Sequence, residues 1–183
     1  MLRSKPPVLI PLAPEAAREK LLTALSRRAL TRAEARARLA KWGLFGAAAE
    51  DIISALLRSG VLDDRKAAAA FALSRSERGY GWNRIRRELA TRGIAARDIE
   101  ETRQEIAGHT PEEGIATLQR IAESEWRKLA RLDPERRRRR WFGRLQRRGF
   151  AGEQLMKILR ALERQESKNV GYDSQGRDEF DFE

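Results

Sequence analysis

The sequence predicts an all-α protein made of three tandem three-helix repeats of the helix-turn-helix type, stacked into an elongated, curved body. Two observations lead to this prediction. Ala, Leu, Arg and Glu dominate the chain while strand-forming residues are scarce, which favours helix throughout. The pattern Leu-x3-Gly-apolar also occurs three times, with its glycines at positions 43, 93 and 149. Because a three-helix unit buries little core alone, we expect neighbouring repeats to stack.

The three segments stay in register beyond their glycines. The same offsets of six, nine and thirteen residues lead to Ala49, Ile52 and Leu56, to Ile99, Thr102 and Ile106, and to Leu155, Ile158 and Leu162. Thr102 is the one mismatch. Each repeat is therefore predicted to hold a first helix, a shorter second helix ending at the glycine, and a third helix. In the first repeat the third helix has one apolar face, formed by Ala49, Ile52, Ile53, Leu56 and Leu57.

The predicted domain boundaries follow from composition. Four of the six prolines lie at positions 6, 7, 11 and 14, which predicts a flexible N-terminal arm over residues 1–16. The repeats are predicted over 17–64, 65–108 and 109–165. Residues 166–183 combine acidic groups with Ser, Asn and Gly and lack a helical period, so they are predicted to be a disordered acidic tail.

Helix ends carry clear signals. Thr31 with Glu34 forms a capping box, and a second box with proline at the first helical position runs from Thr110 to Glu113. Asp133 before Pro134 predicts another start. Left-handed caps are predicted at Gly43, Gly60, Gly93 and Gly149.

The net charge is +11, from 38 basic and 27 acidic residues, and it is unevenly distributed. Residues 127–148 contain eleven basic and two acidic side chains, whereas residues 166–183 contain six acidic and two basic ones. Five consecutive arginines, 136–140, would repel one another unless an anionic partner relieves them, so this segment is predicted to bind a polyanion or an acidic surface. The acidic tail could fold back on it and compete.

Several classes of function are disfavoured. Cysteine is absent, His109 stands alone, and apolar stretches are far too short to span a membrane. The N-terminus lacks a signal-peptide pattern, so we expect a cytoplasmic protein without a membrane partner. The missing phosphate-binding loop and the lack of clustered histidines and carboxylates argue against a nuclease or ATPase. We expect no catalytic residue, no metal and no cofactor.

Two short motifs could suggest a ligand site. The paired carboxylates of Asp63 and Asp64 could bind Mg²⁺, but helix capping is the preferred interpretation. Gly79-x-Gly81 begins like a dinucleotide fingerprint, but Arg84 replaces the third glycine and no strand precedes it, which favours a turn. Tyr80 and Trp82 could stack on bases, although packing is the more common outcome.

Two tryptophans are predicted to pack rather than to bind a ligand. Trp42 precedes Gly43 and is predicted to close a helix end. Trp126 is predicted to lie on a core face, together with Ile115, Leu118, Ala122 and Leu129.

The residues from about Ala24 to Arg164 resemble the RecX family of bacterial regulators of the RecA recombinase. The strongest stretch starts with the glycine, two apolar residues and paired aspartates of residues 60–64 and continues through Gly79-x-Gly81. It ends in the Arg-Ile-x-x-Glu-Leu-x-x-Lys/Arg-Gly-Ile pattern, which here is Arg84-Ile85-Arg86-Arg87-Glu88-Leu89-Ala90-Thr91-Arg92-Gly93-Ile94. The chain departs from the family pattern over residues 66–72, where it is rich in alanine.

The resemblance implies a non-enzymatic protein that binds the RecA nucleoprotein filament. Such a protein would inhibit ATP hydrolysis, strand exchange and co-protease activity in recombinational DNA repair and the SOS response. We expect a monomer with weak, non-specific affinity for single- and double-stranded DNA. Charge density on the second helices selects the candidate contacts Arg36, Arg38, Lys41, Arg84, Arg86, Arg87, Arg137, Arg140, Arg144, Arg147 and Arg148. The alternative is a helix-turn-helix transcription regulator that binds DNA directly.

Overall fold

A computed structural model describes the backbone of residues 11–109 and 111–175, and the side chains of residues 11–106 and 114–168. Within these ranges the chain forms nine α-helices and no strand, which confirms the predicted all-α class. The helices are α1 Pro14–Arg27, α2 Arg32–Lys41, α3 Gly46–Arg58, α4 Asp64–Glu77, α5 Trp82–Thr91, α6 Ala96–His109, α7 Pro111–Lys128, α8 Pro134–Arg148 and α9 Gly152–Gln175. When the helices are grouped in threes along the chain, the second helix of each group is the shortest, as the repeat predicts.

The helices group into two compact units. The first unit consists of residues up to Ser74 together with Arg86–His109, and the second of Arg75–Ile85 together with residues from Thr110 onward. Helices α4 and α5 therefore contribute residues to both units, and the segment predicted as the second repeat is shared between them. The repeat boundaries at 64, 108 and 165 describe the sequence pattern and stay predictions.

The core of the first unit is aliphatic. Leu21 of α1, Leu39 of α2 and Ile53 of α3 are almost completely buried and pack together with alanines that allow close helix contacts. On α3 the predicted face is confirmed: Ala49, Ile52, Ile53 and Leu56 are buried, and Leu57 packs partly against them. Burial of this face is what stabilises a three-helix group of such short helices.

The core of the second unit is centred on two tryptophans. Trp141 of α8 is completely buried, meets Trp126 of α7 edge to face at 6.0 Å, and donates its indole N–H to the Ala122 carbonyl at 2.8 Å. The predicted face of α7 is confirmed at Leu118, Ala122, Trp126 and Leu129. It is wrong at Ile115, which is 55% exposed because it lies near the start of α7, ahead of the part that packs.

The three predicted glycine turns share one hydrogen-bond pattern. The glycine N–H donates to the carbonyl three residues earlier, and the next N–H donates to the leucine carbonyl five residues earlier, at 3.0 Å for Leu44, 3.2 Å for Ile94 and 3.2 Å for Phe150. This is the Schellman arrangement, which needs a left-handed residue at the glycine. The glycine φ values of 83°, 78° and 96° confirm it, and Gly60 is also left-handed at 69°.

The helix-start caps predicted at Thr31 and Asp133 are both present. The Thr31–Glu34 capping box is present, with both bonds at 3.1 Å, and Asp133 accepts the Arg136 N–H at 2.9 Å. The box predicted from Thr110 to Glu113 lies outside the described residues. Trp42 caps the end of α2 as predicted, with the Lys20 ammonium 5.0 Å above its ring.

Two helices extend beyond the predicted ends of the helical region. Helix α1 begins at Pro14 rather than after residue 16, because proline fits the first position of a helix, where no N–H donor is required. Helix α9 continues to Gln175, although residues from 166 onward lack an apolar period. The first residues of this extension form polar contacts, because the Ser167 hydroxyl donates to the Glu163 carbonyl and Glu166 pairs with Arg137. Residues 1–10 and 176–183 lie outside the described part.

In each unit, the start of one repeat's second helix is hydrogen-bonded to the end of the second helix of the following repeat. In the first unit the Thr31 hydroxyl, at the start of α2, donates to the Arg92 carbonyl at the end of α5. In the second unit the Gly81 N–H, at the start of α5, donates to the Arg148 carbonyl at the end of α8 at 2.8 Å. Thr31 and Gly81 both lie eight residues before the repeat leucine, and Arg92 and Arg148 both precede the repeat glycine. The same helix-start to helix-end junction is thus used twice.

Candidate functional site

The candidate residues of α2 differ in their partners. Arg36 forms two hydrogen bonds to the Glu50 carboxylate, at 2.6 and 2.9 Å. These bonds raise the pKa of Arg36 and lower the pKa of Glu50. Arg38 is half-buried and Lys41 is exposed, and neither forms an ion pair within the described part of the chain. Among the three candidates of α2, Lys41 is therefore the one that is exposed without an ion-pair partner in the described part of the chain.

Helix α5 places its three candidate arginines differently. The Arg84 guanidinium lies over the Tyr80 ring at 4.3 Å, and Arg75 lies over the same ring at 5.3 Å. Arg84 belongs to the second unit, whereas Arg86 and Arg87 belong to the first and are exposed. The ring of Tyr80 thus packs against two cations of its own chain.

Arg137 of α8 faces the interior. Its side chain is only 11% exposed, lies 3.8 Å from the centre of the Trp126 ring, and donates to the Trp126 carbonyl and to both carboxylate oxygens of Glu166. Through these contacts the Arg137 guanidinium links α8 to α7 and α9. Although the sequence predicts Arg137 as a binding residue, its hydrogen-bonding groups are occupied inside the molecule.

Arg144 is also paired within the second unit. It donates to Glu125 at 2.7 Å, and Lys128 donates to the same carboxylate at 3.0 Å. Burial by itself would raise the pKa of Glu125, but the hydrogen bonds from Lys128 and Arg144 outweigh it and hold the pKa below its ordinary value. Arg138 pairs in the same way with Glu163 of α9.

The opposite side of α8 carries exposed arginines without such partners. Arg139, Arg140 and Arg147 are exposed, and none of them forms an ion pair with a residue that the structure describes. They share a face because Trp141 and Leu145 point inward, and a helix turns 100° per residue. Charge density on the second helices did not include Arg139 among the candidate contacts. The spacing of Arg139 from the buried Trp141 indicates that Arg139 points outward.

Arg148 at the end of α8 is half-buried, and its carbonyl accepts the Gly81 N–H. The five candidates of the third repeat therefore separate: Arg140 and Arg147 point outward, Arg137 and Arg144 are paired inside the unit, and Arg148 lies at the junction with α5.

The paired aspartates act as caps of two different helices. Asp63 accepts the N–H groups of Arg65 and Lys66 at 2.9 and 3.1 Å, which confirms the capping interpretation. Asp64 instead accepts the Arg32 N–H at the start of α2, at 2.6 Å. Within the described residues, no group of three or more His, Cys, Asp or Glu side chains is placed to hold a metal ion. The side chain of His109 lies outside the described residues.

The Gly79–Gly81 segment is a turn, as predicted. Gly79 has a φ of 75° and donates its N–H to the Ser76 carbonyl at 2.8 Å, which ends α4. Gly81 packs directly on the Gly149 backbone, where a Cβ atom would come within 2.4 Å of the Gly149 carbonyl. Glycine is needed at position 81 for this close approach rather than for a phosphate.

Large apolar side chains are exposed away from α8. The most exposed is Phe45, at 68%, and the others among the described residues are Val61, Leu73, Ile115 and Met156. Phe45 stands at the N-cap of α3, where it forms no capping hydrogen bond, so this residue does little for the helix it precedes. None of the helices in the described ranges is long and apolar enough to cross a membrane.

Comparison with known proteins places these features in a family. Residues 63–102 match the family model described as RecX, second three-helix domain. A regulatory protein RecX from Halorhodospira halophila is 32% identical over 169 residues, which cover 85% of this chain and 94% of the relative. A regulatory protein RecX from Ectopseudomonas mendocina is 30% identical, over 82% of this chain and 97% of the relative.

A solved structure supports the fold. The crystal structure of RecX from Lactobacillus salivarius matches with a TM-score of 0.71 at 17% identity, over 82% of this chain and 96% of that chain. The sequence similarity extends over nearly the whole length of the two relatives and includes the segment from Asp63 to Thr102. This chain belongs to the RecX family of regulatory proteins.

Proposed function

We propose that this protein binds the RecA nucleoprotein filament and inhibits its ATP hydrolysis, strand exchange and co-protease activity. It would thereby act in the cytoplasm in recombinational DNA repair and the SOS response. The observation that carries the proposal is the similarity to proteins named regulatory protein RecX over nearly their full length. In this role the protein acts by binding, with no reaction of its own.

The distribution of charge supports a binding role. Exposed cations lie on α2 at Lys41, on α5 at Arg86 and on α8 at Arg140 and Arg147. A filament of protein and DNA offers acidic side chains and phosphates, both of which match guanidinium and ammonium groups. We also propose Arg38 of α2 and Arg84 and Arg87 of α5 as contacts, and we expect DNA affinity to be secondary and independent of sequence.

One exposed aromatic residue of the first unit, Phe45, suits a protein partner. Protein interfaces gain most of their affinity from a few buried aromatic or aliphatic anchors. Phe45 is the largest such side chain, and its N-cap position gives it no structural role that Ser or Asp would not fill better. We therefore propose Phe45 as an anchor for the recombinase, with Lys41 at the edge of the contact. The protein is proposed to act as a monomer.

The test is a titration of the full chain into the cognate recombinase on single-stranded DNA while ATP hydrolysis is followed. We expect hydrolysis to fall as the ratio of this protein to recombinase rises, and Phe45→Ala to weaken the effect relative to Leu73→Ala. No change in hydrolysis at any ratio would contradict the proposal. Sequence-selective binding to one duplex that persists at raised salt would instead indicate the helix-turn-helix transcription regulator.

A further inference from the structure

The outer face of α8 consists of Arg139, Arg140, Gly143 and Arg147, four residues that point away from the buried Trp141 and Leu145. We propose that this face binds the phosphate backbone of DNA and that Gly143 is where the backbone comes closest to the helix. The proposal depends on the proposed function only for the choice of DNA as the anionic ligand. The residues of the outer face are assigned from the structure.

The three arginines of the outer face are available for a ligand. Arg137, Arg138 and Arg144, on the same helix, are occupied by Glu166, Glu163 and Glu125. Arg139, Arg140 and Arg147 have no ion-pair partner in the part of the chain that the structure describes. Arg136, which is exposed beside them, forms an ion pair with Asp133 at 3.3 Å. The internal pairs thus leave a separate set of accessible guanidinium groups on one side of α8.

The spacing of these groups suits a charged polymer. A helix rises 1.5 Å per residue, so Arg139 and Arg147 are about 12 Å apart along the axis of α8. A DNA strand carries a phosphate about every 3.4 Å along the duplex axis, so several phosphates fall within that length. Guanidinium groups bind phosphate oxygens through paired N–H donors, and such contacts need no particular base.

Gly143 interrupts the arginines at the middle of the outer face, and packing does not require it. A Cβ atom at this position would meet only the Arg147 Nη1 atom, at an ordinary contact distance of 3.5 Å, and the backbone is not left-handed. Glycine inside a helix is unfavourable relative to alanine, so its presence here calls for another reason. The missing side chain leaves a gap over the helix that the Arg147 guanidinium spans, so a strand that lies close to the helix here would meet that guanidinium.

The chemistry of this face favours nucleic acid over a protein partner. Stable protein contacts bury apolar anchors at their centre. All five large apolar side chains that are exposed in the described part of the chain, with Phe45 the most exposed, lie outside α8. A surface that offers cations and no apolar anchor is typical of contact with a phosphate backbone, where affinity is largely electrostatic.

The test measures binding of fluorescein-labelled oligo-dT and of a labelled duplex by anisotropy, without recombinase, over a series of salt concentrations. The variant R139Q/R140Q/R147Q is compared with R58Q/R120Q/R160Q, which removes the same charge from exposed residues of α3, α7 and α9. We expect the first variant to bind DNA at least tenfold more weakly than wild type. Its slope of log K against log salt on the duplex should fall by about 0.9 for each phosphate that the variant no longer binds. The control should change little.

A second pair of variants tests the role of Gly143 with all charges retained. G143L covers the outer face with a good helix former, and G114L does the same on α7, where a Cβ atom meets nothing within 4 Å. We expect G143L to weaken DNA binding severalfold and G114L to leave it unchanged. Circular dichroism confirms that each variant folds.

Equal DNA affinities for the two arginine variants, or for G143L and wild type, would overturn the assignment. Loss of recombinase inhibition in R139Q/R140Q/R147Q with unchanged DNA binding would also overturn it and would assign the face to an acidic protein surface. A wild-type protein that binds DNA as described but leaves recombinase ATP hydrolysis unchanged would refute the proposed function while supporting this site.

Discussion

The Thr31 hydroxyl donates a 2.7 Å hydrogen bond to the main-chain carbonyl of Arg92, sixty-one residues further along the chain. The same oxygen accepts the Glu34 N–H at 3.1 Å, so one buried side chain both caps α2 and joins it to the end of α5. Glu34 strengthens the junction, because its carboxylate pairs with Arg28 at 3.1 Å and with Arg92 at 3.5 Å. The Thr31 side chain, which the local sequence identifies as a helix cap, thus also forms a long-range contact.

We predict that Thr31→Val destabilises the protein by more than the loss of a cap alone, which is about 1 kcal/mol. Valine retains the shape of threonine but leaves the Arg92 carbonyl without its partner, and an unpaired buried polar group costs roughly 1–3 kcal/mol. Thr31→Ser keeps both bonds and is the control. Urea unfolding measures the difference; equal stability of the two variants would show that the hydroxyl does not contribute.

Gly149→Ala should destabilise the protein more than Gly60→Ala. Both glycines are left-handed, which costs a residue with a side chain roughly 1–2 kcal/mol. At Gly60 a Cβ atom meets nothing within 4 Å, whereas at Gly149 it would lie 2.5 Å from the Arg84 N and Cβ atoms. We expect this overlap to add roughly 1–3 kcal/mol. Thermal unfolding of both variants tests it, and similar melting temperatures would contradict the close packing at this junction.

Arg137→Gln should be strongly destabilising and Arg140→Gln nearly neutral, although the two arginines lie three residues apart in the same run. Arg137 is largely shielded from solvent, packs on the Trp126 ring and pairs with Glu166, so its loss should cost about 2 kcal/mol or more. Arg140 is exposed, and exposed substitutions usually stay within about 0.5 kcal/mol. Urea unfolding monitored by tryptophan fluorescence compares them. An equal effect of both variants would argue against the internal role of Arg137.

The stability contributed by Glu125 should depend on pH. The pKa of Glu125 is lowered in the folded protein, so its stabilising effect is fully present above the unfolded value of about 4.3 and is lost as the pH falls through the folded pKa. We therefore expect the stability difference between wild type and Glu125→Gln to be constant from pH 7 to about pH 5 and to shrink at lower pH. Glu123→Gln, at an exposed site on the same helix, is the control. A difference that does not shrink on acidification would contradict the ion-pair role.

Removal of residues 176–183 should tighten polyanion binding at low salt if the acidic tail competes for the basic segment. This piece carries four acidic and one basic side chain, and cutting after Gln175 leaves α9 and the Glu166–Arg137 pair intact. The gain should disappear at high salt, because exposed charges are screened. The full-length chain with its four terminal acids changed to amides should behave like the truncation. Unchanged DNA affinity in both would reject competition by the tail.

Local signals predicted much of the fold. The Leu-x3-Gly-apolar pattern located three turns whose hydrogen bonds agree to within a few tenths of an ångström, because a left-handed glycine and a buried leucine are sufficient to end a helix in this way. The caps at Thr31, Asp63 and Asp133 were predictable for the same reason. Each depends on residues within a turn or two of one another.

The candidate site was less predictable. Charge density identified α8 as an arginine-rich helix, but the sequence alone did not separate Arg137, which is paired and only 11% exposed, from Arg140, which is exposed. That difference depends on which face of the helix Trp141 takes into the core and on Glu166 lying opposite on α9. The contact of Asp64 with α2 was likewise not predictable from the sequence, because its partner, Arg32, lies thirty-two residues away.

The sequence by itself determined that this chain is helical, where most helices begin and end, and that three similar segments follow one another. Helix propensity, capping and apolar period act over a few residues, so they are readable without coordinates. The tertiary structure alone decided which arginines are paired inside the protein and which remain exposed. That assignment arises from contacts between side chains far apart in the chain, where burial and opposite charge select one of several chemically identical residues.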